Sequence, residues 1–181
     1  MPDTAIEAGA FTVVLPKEYP LILLCCVILC IECFLIGMCV VAPKRFKYFN
    51  KEFMDQFNEE HEQAFPGTKP AIGGFPDAGE GRYAAKLPYE AQMKFNYAMR
   101  THMNFVEQLP MILSILCISG LFIPKATMYV GFINATARII YTIMYVMKGG
   151  NYRVLGAVAG SLPLYGLAIT TLVFAIKDVA N

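Results

Sequence analysis

The sequence predicts an all-α integral membrane protein, an antiparallel bundle of four transmembrane helices with a long loop between helices 1 and 2. Of its 181 residues, 56% are hydrophobic and only 16% are charged, whereas charged residues make up about 25% of typical soluble domains. The length fits a single domain over residues 1–181. The net charge of +1 gives no electrostatic case for a nucleic-acid partner. Four stretches approach the roughly 20 apolar residues that cross a bilayer core: 19–41, 95–122, 124–147 and 154–176.

The four stretches differ in how clearly their composition marks them as membrane spans. The first contains one acid, Glu32, and the fourth is uncharged. The second is apolar only in its second half, and the third is interrupted by Arg138. Residues 1–18 lack the basic start of a signal peptide, so we expect the first span to be retained. The short turns at 123–125 and 148–153 predict that neighbouring helices are antiparallel and packed together.

The loop between the first and second spans covers residues 42–94 and has two parts of different composition. Its first part is rich in charged residues and is compatible with an interfacial helix. Its second part is dense in proline and glycine, which indicates irregular turns. On its own, such a segment is expected to be mobile.

The distribution of basic residues predicts the orientation of the bundle. With four spans both termini lie on one side, which holds three basic residues, Lys17, Lys125 and Lys177, whereas the loop side holds ten. The positive-inside rule then places the loop in the cytosol, or in the matrix of a mitochondrion. We therefore expect an intracellular membrane, either endoplasmic reticulum or mitochondrial. The ten are Lys44, Arg45, Lys47, Lys51, Lys69, Arg82, Lys86, Lys94, Lys148 and Arg153.

The six cysteines predict neither a metal site nor a disulfide framework. Five of them fall in the first span and one in the second, and none is near a second type of ligand in a metal-like arrangement. At bilayer depth, a reduced thiol behaves as a small apolar side chain. We therefore expect no metal ion.

Two sets of polar side chains lie within the predicted spans, and each set shares one helical face. Ionisable residues at this depth are costly, so they usually face a bundle interior or a cavity. At 1.5 Å per residue, Glu32, Glu107 and Arg138 lie at about the same depth, so Arg138 is expected to meet one of the two acids. The sets are Arg100, Asn104 and Glu107 on the second span, and Arg138, Tyr141 and Tyr145 on the third.

These residues predict a polar slot that opens toward the loop side, with acids at its floor and bases at its mouth. Such a slot suits a small zwitterionic or anionic ligand, with its carboxylates on the arginines and its ammonium on Glu107. The alternative is that the charges only hold the helices together. The pattern by itself leaves both interpretations open.

Two stretches resemble the sequence motifs of one family of membrane proteins. The run from Arg100 to Pro110, RTHMNFVEQLP, resembles the R-x-x-x-N-x-x-E-x-x-P motif of the MAPEG family, membrane-associated proteins in eicosanoid and glutathione metabolism. The run from Ala137 to Tyr145 resembles that family's third-helix motif, A-R-x-x-Y-x-x-x-Y. The four spans match as well, and the long first loop is similar to that of some microsomal glutathione transferases, the branch the chain resembles most.

The resemblance implies a homotrimer that binds glutathione, as co-substrate, between adjacent subunits. Arg153 matches an arginine that stabilises the glutathione thiolate, and Arg45 matches a basic position near the mouth of the site. The implied glutathione contacts are Arg100, Asn104 and Glu107 from one subunit, and Arg138, Tyr141 and Tyr145 from its neighbour.

The resemblance further implies a glutathione transferase or glutathione-dependent peroxidase that acts on lipophilic electrophiles or lipid hydroperoxides. A thiol with a pKa near 8.5 is a poor nucleophile at neutral pH, and a nearby guanidinium favours its thiolate. One departure stands out, because many family members have a tyrosine directly after the motif glutamate, where this chain has Gln108. The alternative is therefore a non-catalytic accessory subunit of a larger membrane complex, such as a mitochondrial one, and a lipid-binding regulator is a third hypothesis.

Overall fold

The computed structural model describes residues 5–8 and 11–180, and four of the helices in this part of the chain are long and apolar enough to cross a membrane. Two short strands, β1 (Ala5–Ala8) and β2 (Phe11–Val14), pair antiparallel ahead of the bundle. In chain order the helices are α1 (Tyr19–Tyr48), α2 (Lys51–Asp55), α3 (Asn58–Ala64), α4 (Tyr89–Phe122), α5 (Pro124–Lys148) and α6 (Val154–Ala180).

The long helices confirm the predicted all-helical bundle, and two of them extend further on the loop side than the predicted spans. Helix α1 continues beyond Val41 through a π-helical segment at Ile36–Val41 and a further α-helix at Ala42–Tyr48. Helix α4 begins at Tyr89, ahead of its apolar part. Hydropathy marks only the part of a helix that lies in hydrocarbon. The helix itself can continue into the polar interface, because its backbone hydrogen bonds are formed within the helix.

Helix α5 lies at the centre of the bundle and packs against α1, α4 and α6. Lipid tails are as apolar as leucine, so helices in a membrane associate through small residues and polar bonds. Both are present. Asn134 of α5 donates a hydrogen bond to the carbonyl of Gly160 at 3.1 Å, and Thr171 of α6 donates to the Ser119 hydroxyl of α4 at 2.7 Å.

The loop between α1 and α4 packs onto the loop-side end of α4, which differs from the expectation of a mobile segment. Its aromatic side chains form a second core, in which the Phe49 and Phe95 rings meet edge to face at 4.9 Å. Helices α2 and α3 form in its charged first part, and turns follow from Pro66 onward, interrupted by a 3-10 turn at Ala84–Lys86. The prolines and glycines bend the chain, but interspersed aromatic residues give it apolar surface to bury.

Candidate functional site

Helices α4 and α5 bring the two sequence motifs together within one chain. They are antiparallel neighbours because the turn at Ile123 is short, so the two motifs lie alongside each other. Asn104 of α4 donates a hydrogen bond to the hydroxyl of Tyr141 of α5 at 2.7 Å. The resemblance implied that these two residues contact a ligand from different subunits. In the structure they are hydrogen-bonded to each other in the same subunit.

An arginine and an aromatic cluster lie on the loop side of this pair. Arg153, in the 3-10 turn Gly150–Arg153, donates a hydrogen bond to the Tyr145 hydroxyl at 3.1 Å. The ring of Tyr145 packs against those of Tyr141 and Tyr97, each at a centroid distance of 5.6 Å. The cluster fixes the hydroxyl of Tyr145, and Arg153 as a whole is exposed. The guanidinium of Arg153 is therefore oriented by Tyr145 and remains accessible from outside the bundle.

Arg138 lies on the other side of the pair, deeper in the bundle. It is 9% exposed, donates a hydrogen bond to the Gln108 side-chain carbonyl, and lies 4.7 Å from the centroid of the Phe105 ring. This arrangement corrects the expectation that Arg138 meets Glu107 or Glu32, since no ion pair joins them within the described residues. Glu32 leaves one carboxylate oxygen buried without a hydrogen bond there.

The geometry of a helix explains why Arg138 meets Gln108 and not Glu107. Successive residues are rotated by about 100° around the axis, so Tyr97, Asn104 and Gln108 point in nearly one direction. Glu107 is displaced from Gln108 by one residue, a rotation of about 100°, and does not make this contact with Arg138. Its side chain is exposed, and nothing in residues 5–8 or 11–180 forms a hydrogen bond or ion pair with it. A carboxylate at membrane depth with no partner is costly unless a ligand, water or another chain meets it.

Arg100 marks the loop-side end of the polar face. Its guanidinium forms an ion pair with Glu80, which comes from the loop, and both side chains are partly exposed. Asn96, one turn before Arg100 on α4, lies 3.5 Å from the same Glu80 oxygen. Arg100 is thus accessible from the loop side, but an acid of the chain itself already holds it.

Arg45 lies apart from the polar face, which differs from the expected position near the mouth of the site. It is only 6% exposed and donates hydrogen bonds to the backbone carbonyls of Gly73 at 2.9 Å and Asp77 at 2.8 Å. The ring of Phe75 covers its guanidinium at 4.4 Å. In the structure, Arg45 therefore links the loop to the end of α1.

A cleft between α4 and α6, with α5 as its floor, contains part of the polar face. Gln108, Arg138 and Tyr141 line it together with Gly156 and Gly160 of α6, and the lack of side chains at these glycines lets α6 approach α5 closely. Hydrogen-bond donors and a guanidinium converge there, and such a surface suits carboxylate groups. No cluster of histidine, cysteine and acidic residues in the described chain could hold a metal ion.

Tyr97 was not predicted as part of this site, and Gln108 was identified from the sequence only as the position where many family members have a tyrosine. Both residues share the helical face of Asn104, at i−7 and i+4, and that spacing is the signal that could have placed them opposite α5. No spacing pattern identifies Glu80, because it lies in a loop, 20 residues before Arg100 in the sequence.

Comparison with known proteins identifies the family to which the bundle belongs. A search of curated protein sequences finds no match. The sequence model of the MAPEG family matches residues 22–173, which contain both motifs and nearly all of the four long helices. This match covers well over half of the chain. The protein is therefore a multi-pass membrane protein that belongs to the MAPEG family.

Proposed function

We propose that this protein is a glutathione transferase or glutathione-dependent peroxidase that acts on lipophilic electrophiles or lipid hydroperoxides in the membrane. Its family supports a role in glutathione or eicosanoid metabolism. The observation that carries the proposal is that Glu107, one helical turn after Asn104, is exposed and has no ion-pair partner among the described residues. An isolated carboxylate there needs a cationic or hydrogen-bonding partner, and the ammonium of glutathione would supply one.

Glutathione matches the other groups of the polar face as well. Its carboxylates suit the guanidinium groups of Arg100 and Arg138, which bind such groups in two-pronged geometry. Asn104 and Tyr141 offer hydrogen bonds between these charges, and Tyr145 orients Arg153. Arg45 is left out of the proposed contacts because the loop already occupies its guanidinium.

We propose that the working form is a homotrimer in which a second subunit covers the polar face. Glu107 and Arg153 are both exposed on the surface of the single chain. Charged groups at an uncovered lipid-facing surface are unfavourable, so a neighbouring copy would shield them and enclose the ligand. Members of the family often form trimers.

Arg153 is the proposed catalytic residue. Its guanidinium stays protonated and favours loss of the glutathione proton to solvent. The thiolate sulfur then attacks an electrophilic carbon, so a carbon–sulfur bond forms and the leaving group departs with its electron pair. With a hydroperoxide, the sulfur attacks the outer oxygen, the oxygen–oxygen bond breaks, and the alcohol leaves after protonation. The resulting sulfenic acid reacts with a second glutathione to give the disulfide and water.

We expect the substitution Glu107→Gln to weaken glutathione binding about 10- to 100-fold, since a hydrogen bond to a charged group contributes about 1.5–3 kcal/mol. The amide keeps the size of the side chain but loses the charge that attracts the ammonium. Titration calorimetry in mild detergent measures the dissociation constant. The matched control is Glu90→Gln, which removes the same charge from an exposed acid paired with Lys94 on the same helix. Equal affinity in wild type and Glu107→Gln would remove Glu107 from the site.

We propose an intracellular membrane, endoplasmic reticulum or mitochondrial, with the loop in the cytosol or matrix. The support is the excess of basic residues on the loop side, ten against three. This orientation opens the polar face toward compartments that contain glutathione.

The alternative function is a non-catalytic MAPEG-fold subunit of a larger membrane complex. One observation favours it. Gln108 holds Arg138 at the position where many family members have a tyrosine that can pack on the ligand. Co-purification with other subunits, together with no saturable binding of glutathione, would support this alternative over the enzyme.

A further inference from the structure

A buried carboxylate, Asp77, organises the loop segment that faces the site. Asp77 is 7% exposed. One of its oxygens accepts hydrogen bonds from the backbone amides of Gly79 at 2.7 Å and Gly81 at 3.0 Å. The other accepts from the amide of Ala84 at 2.8 Å. We call residues 77–84 the Asp77 turn, and its backbone is fixed on both sides of Glu80.

The Asp77 turn is fastened to the bundle at two places. Arg45 donates to the Asp77 carbonyl at 2.8 Å, which ties the turn to α1. On the other side, Gly79 has a φ of +99°, and a β-carbon there would lie 3.4 Å from the Cα of Asn96 in α4. Glycine therefore allows the turn to adopt this backbone conformation directly against α4.

This arrangement places Glu80 on the arginine that the proposed function assigns to a ligand carboxylate. Glu80 lies between two residues whose amides Asp77 holds, and its carboxylate pairs with Arg100 and faces Asn96. The nearest basic residue of the loop, Arg82, is occupied by Glu60. Glu80 therefore has Arg100 as its partner among the described residues.

We infer that Glu80 is an internal competitor that sets the affinity and charge selectivity of the site. This inference rests on the proposed function. Glu80 pairs with one terminal nitrogen of the Arg100 guanidinium, so a carboxylate of glutathione that binds this nitrogen must replace the carboxylate of Glu80. The Glu80 side chain is 59% exposed, so it can rotate into water while the Asp77 turn stays in place. The exchange trades one ion pair for another and lowers the net gain on binding.

The test is glutathione binding by full-length Glu80→Gln in detergent, measured by calorimetry. We expect a gain in affinity of about two- to fivefold, the range that partly exposed ion pairs support. The matched control is Glu60→Gln, which removes one negative charge and the pair with Arg82 in the same loop. Glutathione diethyl ester is the second probe, because it lacks the free carboxylates. The ester should bind wild type and Glu80→Gln with equal affinity.

The possible outcomes separate this inference from the proposed function. If Glu80→Gln binds glutathione more weakly than wild type, Glu80 positions Arg100 and does not compete with the ligand. Unchanged affinity, or an equal gain in Glu60→Gln, would also overturn the competition. In each of these cases wild type still binds glutathione, so the proposed function stands. If wild type and both variants fail to bind, the proposed function fails and the inference fails with it.

Discussion

Replacement of Gly156 by alanine should separate α5 from α6 and destabilise the protein. A β-carbon at position 156 would lie 2.5 Å from the backbone nitrogen of Tyr141 and 2.7 Å from its Cα. Backbone atoms cannot rotate away as the end of a side chain can, so the helices must move apart. Insertion of one extra carbon into a tightly packed contact costs about 1–3 kcal/mol. Because Tyr141 accepts the hydrogen bond of Asn104, glutathione binding should weaken in the same variant.

Gly166→Ala is the matched control for this experiment. Gly166 lies in the same helix, but a β-carbon there would meet no atom of the described residues within 4 Å. Alanine costs less than glycine inside a helix by about 0.5–1 kcal/mol, so this variant should be as stable as wild type or slightly more so. Thermal unfolding in detergent, followed by the circular dichroism of the helices, compares the three proteins. A Gly156→Ala protein as stable as Gly166→Ala would show that the close contact is absent.

Replacement of Arg153 by leucine should lower the rate of thiol transfer by about 100-fold, the range found when one electrostatic donor is removed from an active site. The KM for glutathione should change much less, because Arg100, Arg138 and Glu107 hold the rest of the ligand in the proposed complex. An activated aryl chloride is a suitable electrophile, since its reaction with a thiolate is followed by absorbance. Arg153→Lys should recover part of the rate, because it restores the charge but not the bond to Tyr145.

Arg82→Leu provides the control for charge. Arg82 is an exposed loop arginine that is paired with Glu60 and is not among the proposed glutathione contacts, so its loss should leave the rate unchanged. If Arg153→Leu transferred thiol as fast as Arg82→Leu, Arg153 would have no part in stabilising the thiolate.

Much of the bundle could be predicted from the sequence, because hydrophobic length and short turns leave few arrangements open. The four spans and their antiparallel order follow from these features alone. The helix ends were less predictable. Hydropathy reports the hydrocarbon layer, and the helix beyond Val41 is held by its own hydrogen bonds and by Arg45, which is bound to a distant loop.

The relative level of the site residues along the helices could be predicted, but the directions of their side chains around the helix axes could not. Counting residues placed Arg138 and Glu107 at one level, yet the direction of a side chain depends on a rotation of about 100° per residue. Gln108, one position further, is the residue that meets Arg138. The pairing of Glu80 with Arg100 depends on the packed loop, and no local pattern in the sequence specifies such a long-range contact.

The most direct test of the proposed function is a titration of the wild-type protein with glutathione at neutral pH, followed by the ultraviolet absorbance of the thiolate. Free glutathione is mostly protonated at this pH. If the polar face binds glutathione and Arg153 stabilises its thiolate, absorbance should rise and saturate with the number of sites. The absence of a saturable thiolate signal would contradict the proposal that this MAPEG-family protein activates glutathione.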